Sequence, residues 1–510
     1  MREIGRSGEP AAIPYIIEYL FSPSDAERLS AAQAVHSLVE ATSPEDLPWL
    51  DEEIRSWSWS YGRRESWSQL NPSEVRKTSF PPEFETSVFG LMSCHPNGRV
   101  REAAVKRLGT SAHPEALRFL LVRLNDWVPN IRQTALQIVH NRLEGPIDPF
   151  VPNLYLVSRL AECQRADFSE FIRAVAQKLV LPEHVDVLFR LIEQGSWSAA
   201  RQWFAVVLSL PGDHHSRFIR AGLKSSDIVV RLRSVQSAPN MLREDELASL
   251  LTEVRQNKLA AVRLQALSAY VDHFPNAAPG ALRESLLDRS ASVREFARFY
   301  LRKAGENGFA DYYRKALQDD KTVRVALLGL GETGNETDLP LVLPYLDSSV
   351  TSRRTAAIQS LSRLADDRFV NVFLDHLQDE SPRVVRTAGQ WVSGRPHLID
   401  LDRINHLLST DSRAHVRQTA LIIFGSADFW KALPHLIRAA QDDDDDIRTR
   451  ARGLVEKRYN RIYTKPSSQQ ASRIRQALDE GAGRLDEQFV QGLTQWLSGL
   501  AIPPWGETAK

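Results

Sequence analysis

An arginine returns at a nearly constant interval through most of this chain, and no other feature narrows its possible architecture as much. Arg201, Arg231, Arg263, Arg294, Arg324, Arg354, Arg386, Arg417 and Arg448 follow one another at 30, 32, 31, 30, 30, 32, 31 and 31 residues. Arg101 and Arg132 keep the same beat upstream, and Arg28 and Arg173 join it if two insertions are allowed. A unit of this length is too small to bury its own apolar face, so such units must stack on one another.

The residues around each arginine identify the unit. Val100-Arg101 is followed by Ala104 and Leu108, Val293-Arg294 by Ala297 and Leu301, and Val416-Arg417 by Ala420 and Phe424. Apolar residues at −1, +3, +4 and +7 share one face of an α-helix, and the small residue at +3 predicts close approach of a neighbouring helix. Asp126, Asp288, Asp411 and Asp442 each stand six residues before their arginine, where a carboxylate is expected to cap the helix. A second helical segment precedes each of these. Pro14, Pro340 and Pro434 are expected in or near its first turn, and Pro344 is placed to kink it. Turns are read at 305–308 and 331–335 from their Gly and Asn residues. The reading is all-α: an α-solenoid (superhelix) of about 13 antiparallel helix pairs of about 31 residues each.

The pattern Asp-x-x-x-x-Val-Arg-x-x-Ala-Leu, preceded by a proline-bearing helix, resembles the short HEAT repeats of bacterial proteins, which also occur in phycobilisome lyase subunits. The resemblance spans roughly residues 1–460. It implies a non-catalytic scaffold that binds a protein or peptide partner. It leaves two alternatives open, a nucleic-acid-binding or DNA-glycosylase-like protein and a bilin lyase-like chaperone or enzyme.

Composition bears on these alternatives. The 510 residues include 64 basic and 64 acidic side chains, so no global charge draws the chain to nucleic acid or to an anionic membrane. Two cysteines, Cys94 and Cys163, make neither a disulfide framework nor a four-cysteine metal site, and read as unpaired thiols in a reducing cytoplasm. The N-terminus lacks an apolar signal core, and no apolar run approaches the roughly 18–20 residues that cross a bilayer. A cytoplasmic protein is the expectation. The domain reading is a solenoid over 1–465, with a Trp-rich insertion at 42–82 and a Pro-rich one at 144–153, then capping helices and a tail over 466–510.

The departures from the period carry the functional signals. The first insertion holds Trp49, Trp57, Trp59, Tyr61 and Trp67, and its run 55–64 alternates like a strand or an extended arm. It reads either as a partner-binding loop or as a flap covering the first repeats. Three prolines within 145–152 exclude a regular α-helix there. Near the C-terminus, Leu485, Phe489, Leu493, Trp496 and Leu497 form a stripe suited to closing the last repeat.

The recurrent arginines (Arg101, Arg132, Arg201, Arg231, Arg263, Arg294, Arg324, Arg354, Arg386, Arg417 and Arg448) are read as a structural ladder, bridging to the capping Asp of their own or the next repeat and to nearby carbonyls. The resemblance to HEAT-like solenoids implies that the second, arginine-bearing helices line the concave surface, which is the expected binding face. Only four of the 24 residues one and five places after the twelve arginines (Arg173 included) are charged, which favours a protein or peptide over duplex phosphates. Candidate anchors are Phe299, Trp391 and Ile422, with Trp203 and Phe296 two places after their arginines, and Trp57, Trp59 and Trp67 on the insertion. His214-His215 reads as a loop or helix start rather than a metal site, and Asp442–Asp446 as a charged capping turn. No catalytic motif, cofactor, metal or small-molecule substrate is indicated.

Overall fold

A computed structural model describes residues 2–60, 65–459, 461–462 and 464–500; the side chains of Trp57 and Trp59 and the segment 61–64 lie outside the described residues. The described residues form helices joined by turns, with no strand among them, and the fold is an α-solenoid of helix pairs. The chain divides into two compact units, Met1–Phe274 and Pro275–Lys510.

In the first unit, Pro82–Met92 pairs with Gly98–Thr110 and Ala116–Arg123 with Pro129–Glu144, while Leu154–Arg159 packs on Trp197–Ser209. Three more pairs run from Val185 to His273. In the second unit, Ala278–Ser285 pairs with Ala291–Lys303, and the alternation continues to Phe429–Ala439 and Asp445–Tyr459. Second helices pack against second helices, as Gly98–Thr110 does on Pro129–Glu144. The small residues three places after the arginines lie in these contacts: Ala104, Ala135, Ala266 and Ala297 are fully buried. Where Arg386 stands the equivalent residue is Gly389, and a Cβ there would lie 2.3 Å from Thr419.

Proline distorts first helices as its chemistry requires. Pro14 and Pro340 sit in first turns, whereas Pro434 falls inside Phe429–Ala439, later than expected. Pro344 ends the α-helix Leu339–Val342, and the chain continues as a 3-10 turn over Leu343–Asp347. The Pro-rich insertion likewise forms a 3-10 segment, Asp148–Asn153. Gly305 and Gly308 have φ of +91° and +77° and supply the left-handed turn between pairs. Gly331 is no turn residue: it lies within Val323–Thr333, 2.7 Å from Ser360 Cα at the would-be Cβ, and so permits close helix approach.

The arginines make two recurrent contacts. One is to the carbonyl six residues earlier, in the turn leaving the first helix: Arg101 donates to His95 O at 3.0 Å, Arg132 to Asp126 O at 2.6 Å, Arg263 to Asn257 O at 2.8 Å, Arg294 to Asp288 O at 2.7 Å and Arg354 to Ser348 O at 2.8 Å. Arg231 reaches Ser225 O and Arg448 reaches Asp442 O in the same way. The other is to the aspartate of the following repeat. Arg101 grips Asp126 with two parallel hydrogen bonds of 2.8 and 2.9 Å, and Arg354 grips Asp379 at 2.9 and 3.1 Å. Arg201–Asp227 and Arg417–Asp442 repeat the pairing.

Asp126, Asp379, Asp411 and Asp442 also accept a hydrogen bond from the backbone N–H two residues on, just ahead of the second helix. They sit two residues before the helix N-cap and order the entry to the helix. Burial raises the carboxyl pKa of Asp126 and Asp379, but the arginine hydrogen bonds outweigh it and hold both below the ordinary range. Arg294 departs from the pattern and pairs with Glu332, which Arg298 and Arg363 also contact. Arg324 and Arg386 make no hydrogen bond or ion pair among the described residues.

The C-terminal stripe is buried: Phe489, Leu493 and Leu497 lie on Glu487–Gly499, and Trp496 stacks on Trp430 at 5.4 Å. In the run Asp442–Asp446, Asp442 and Asp444 face Arg417, Asp445 pairs with Arg448 and Asp446 with Arg450.

Two substitutions in adjacent repeats separate tied from untied arginines. Arg354→Ala, which strands the largely buried Asp379, is expected to destabilise the second unit by about 2–3 kcal/mol. Arg386→Ala, at an exposed arginine without such bonds, should cost less than about 0.5 kcal/mol. Urea unfolding of the two variants measures both, and equal effects would refute the distinction.

Candidate functional site

As far as its described residues go, the Trp-rich insertion is helical, not extended. Leu47, Leu50 and Ile54 recur at helical spacing and are buried, and the chain forms a helix over Leu47–Ser60. Alternating tryptophans suggested a strand only because that apolar stripe lay upstream of them. Trp67 is also a correction: it is 4% exposed, packed against Phe21 and His95, and is no partner anchor.

His95 fastens this insertion to the first turn of the repeats. Asn97 N–H donates to His95 Nδ1 at 2.9 Å, which leaves the ring proton on Nε2 to be donated to Trp67 O at 2.8 Å. The Asn97 bond needs the neutral ring, because a protonated Nδ1 has no lone pair to accept with. Burial, together with the Arg101 charge, depresses the His95 pKa below 6.5 although the Trp67 carbonyl opposes this.

Beside this anchorage, the helix Leu47–Ser60 and the turns that end Ala116–Arg123 and Leu154–Glu162 enclose an open cleft of about 670 Å³. Its floor is apolar, with Leu121, Leu156 and Leu160, and its rim carries Arg55, Arg159 and Arg165. An ion-pair network stands behind it. Asp51 binds Arg55 at 3.0 Å and also Arg123, whose Nη1 lies 3.1 Å from Asp126 Oδ2. Asp126 is the same carboxylate that Arg101 grips, and Arg55 approaches it at 3.6 Å. Arg101, Arg123 and Asp126 are buried, so this corner of the cleft is rigidly held.

Trp127 follows Asp126 directly and stands 61% exposed in the cleft. The guanidinium carbons of Arg55 and Arg101 each lie 5.6 Å from its ring centroid, fixing the indole by cation–π contact while leaving it accessible. Both cysteines are free. The thiol of Cys94 is pushed up to about 12 by burial and by Asp51, which makes it unreactive. Cys163 lines the cleft, and burial raises its pKa against the opposing charges of Arg159 and Arg165.

The anchors expected on the second helices divide. Phe299 is 58% and Ile422 55% exposed, and half-buried Phe296 packs on Tyr300 at 4.6 Å. Trp203 and Trp391 are corrections. Trp203 is fully buried, its Nε1 donating to Leu154 O at 3.3 Å. Trp391 is 5% exposed and stacked 3.9 Å from Phe373. The reason is rotation of the helix about its axis. Ala291–Lys303 buries positions −1, 0, +3, +4 and +7 from its arginine, whereas Pro382–Ser393 buries −2, −1, +2, +3, +5 and +6. That turn of about one residue brings Trp391 inward and puts Arg386 outside. Trp197–Ser209 buries −2, −1, +2 and +3, which takes Trp203 into the core.

The pattern reading missed Asp51, Arg55, Arg123, Trp127, Arg159 and Arg165. Two signals were available: Asp51 and Arg55 are spaced to pair on a helix, and Trp127 is an aromatic directly after a turn aspartate that elsewhere precedes Arg289, Ser412 or Asp443. His214 and His215 each donate an Nε2–H to a backbone carbonyl, those of Val207 and Leu210, and among the described residues no His, Cys, Asp or Glu group is arranged to hold a metal ion. No described helix is long and apolar enough to cross a membrane.

Residues 311–393 match the family model of HEAT repeats, which supports a HEAT-repeat protein. No curated protein matches the chain. Among solved structures, importin beta in an ammonium sulfate condition is 13% identical with a TM-score of 0.37, over 95% of this chain and 71% of that one. Yeast importin-beta (Kap95p) is 11% identical with a TM-score of 0.37, over 97% and 67%. A chain of the Pds5–Scc1 complex is 13% identical with a TM-score of 0.28, over 94% and 68%. The chain thus spans about two thirds of the length of these larger proteins.

Because burial, with the Arg101 charge, disfavours the imidazolium, the folded His95 binds fewer protons than the unfolded one between its lowered pKa and 6.5. The stability it contributes is complete above pH 6.5 and is lost as pH falls toward the lowered value. The melting temperature should therefore drop on going from pH 7.5 to 5.5, and by less in His95→Gln; an unchanged slope in the variant would remove this role for His95.

Proposed function

We propose that this chain is a non-catalytic scaffold that holds a protein or peptide partner. The observation that carries the reading is Trp127, an accessible indole backed by arginines that are already fixed in a buried ion-pair network. Tryptophan and arginine in a partly dry cleft are the residue types on which interface energy concentrates. A preformed surface also lowers the ordering cost of binding, because its side chains need not be immobilised on contact. The HEAT-repeat match over 311–393 agrees with a scaffold. The second unit offers its own surface on the arginine-bearing helices, with Phe299 and Ile422 as apolar contacts and Phe296 beside them.

Affinity capture from the native host, followed by mass spectrometry, identifies the partner. Trp127→Ala should then weaken its binding by about tenfold or more while helicity and melting temperature stay within error, since the ring is mostly exposed. Phe299→Ser combined with Ile422→Ser tests the second surface in the same assay. Unchanged binding in all variants would refute both surfaces, and loss of the fold would mark the side chains as core.

A further inference from the structure

Resting on the scaffold reading, we infer that the exposed faces of the second helices between Ala291 and Ser393 dock an acidic segment of the partner protein. These four helices, Ala291–Lys303, Val323–Thr333, Thr351–Leu364 and Pro382–Ser393, lie side by side. They carry ten cations, and Glu295 and Glu332 are their only carboxylates. Arg353 and Arg354 are taken up outside the helices, by Asp320 and Asp379. Glu332 is shared by three guanidiniums, those of Arg294, Arg298 and Arg363, of which the first two are buried. There remain Arg302, Lys303, Arg324, Arg383 and Arg386, whose side chains make no hydrogen bond or ion pair among the described residues; Arg302 only stands over the Phe309 ring. Against them stands one unpaired carboxylate of the same helices, Glu295. The turns do not make up the difference. Beside Arg383 and Arg386, Asp379 is held by Arg354 and Asp411 by Arg413, and Glu380 acts on both of those arginines. In the turns after Lys303, Thr333 and Leu364, Glu306 pairs with Arg283, and Glu336 and Asp366 with Arg368. Asp319 and Asp347 make no ion pair, but they precede helices that expose no cation in their first turn.

The exposed positions recur at helical spacing and share one face of each helix, as Glu295, Phe299 and Arg302 do on the first and Arg383, Arg386 and Gln390 on the fourth. The exposed cations fall at −3, 0, +8 and +9 from the repeat arginines, which is why the stripe at +1 and +5 reads as poor in charge. A cation in a last turn offsets the helix dipole, as Arg302 and Lys303 do. Arg383 stands in a first turn, where the dipole disfavours it, and no carboxylate pairs with it among the described residues. An incoming carboxylate gains charge-assisted hydrogen bonds at such arginines, and an apolar neighbour lies on Phe299, which is 58% exposed. A basic segment is repelled by the same face. Val323–Thr333 exposes no cation, so the free arginines form two groups instead of the continuous track that a phosphate backbone follows.

The test uses the full chain and three fluorescent probes in anisotropy titrations: a peptide alternating Glu and Leu, its Lys-for-Glu counterpart, and an oligothymidylate. About a dozen residues suffice to cross four helices packed roughly 8–10 Å apart. The acidic peptide should bind, more weakly as salt is raised, and lose about tenfold in affinity in the Arg383→Ala, Arg386→Ala double variant and in Arg302→Ala with Lys303→Ala. All four positions are exposed, so circular dichroism should show both variants folded. Arg473→Ala with Arg475→Ala removes the same charge from exposed positions on Ser468–Glu480 and should change the affinity little. Equal or better binding of the Lys peptide or the oligothymidylate overturns the inference, as does an equal loss in the Arg473, Arg475 variant or unchanged affinity in the other two. If the acidic peptide is lost only in Trp127→Ala, this surface falls while the scaffold reading stands. If no probe binds, the inference falls and the capture experiment decides the scaffold reading separately.

Discussion

The guanidinium that joins three pieces of chain is what the rest of this fold depends on. Arg101 shows the arrangement most completely. It donates to the His95 and Pro96 carbonyls, which the end of the first helix leaves without helical partners, and it grips Asp126 of the next repeat in a two-point bond. Apolar burial alone would let neighbouring pairs slide and rotate, because the hydrophobic effect has no direction. A planar donor with fixed geometry supplies the register. Its regular return explains why the period is visible as arginine rather than as any apolar residue, which many others of similar size replace at small cost.

The same contact prepares the candidate site. At the turn between Ala116–Arg123 and Pro129–Glu144 the repeat arginine and its aspartate meet a second pair, Asp51 and Arg55, delivered by the insertion helix, and Arg123 connects them. An ordinary structural contact thereby becomes part of a larger, mostly buried ion-pair cluster. Trp127 is held at its edge by two of these arginines. The insertion is fixed by His95 and Trp67 and forms one wall of the cleft.

Architecture was legible from sequence because stacking imposes a repeated demand on repeated positions. The buried residues around Arg101, Arg294 and Arg417 fall where helical spacing puts them. Sites were less legible, for two physical reasons. Rotation of a helix by a single residue exchanges inner and outer faces, and nothing in the local pattern of Pro382–Ser393 announces it; Trp391 was therefore assigned to the surface while it stacks on Phe373. The cleft is assembled from residues some 70 to 115 positions apart, Asp51 with Arg123 and Arg55 with Arg165, and pairings of that range leave no periodic trace. Phe299 and Ile422 lie outward because their helices keep the common rotation. The insertion shows a third limit: tryptophans that alternate in sequence concealed the stripe Leu47, Leu50 and Ile54 that makes it a helix.

Where it forms, at Arg101, Arg201, Arg354 and Arg417, the arginine–aspartate tie runs one way along the chain, from a second helix to the turn of its successor. A unit duplicated in frame would bring its own cation for the neighbour downstream and its own anion for the neighbour upstream. It would leave no orphaned charge at either junction and no change in the balance of 64 against 64. Length in such a chain can therefore be altered by whole modules without redesigning the seams, and the places where the arginine side chain makes no bond among the described residues, as at Arg324 and Arg386, are where a graft or a cut would disturb least.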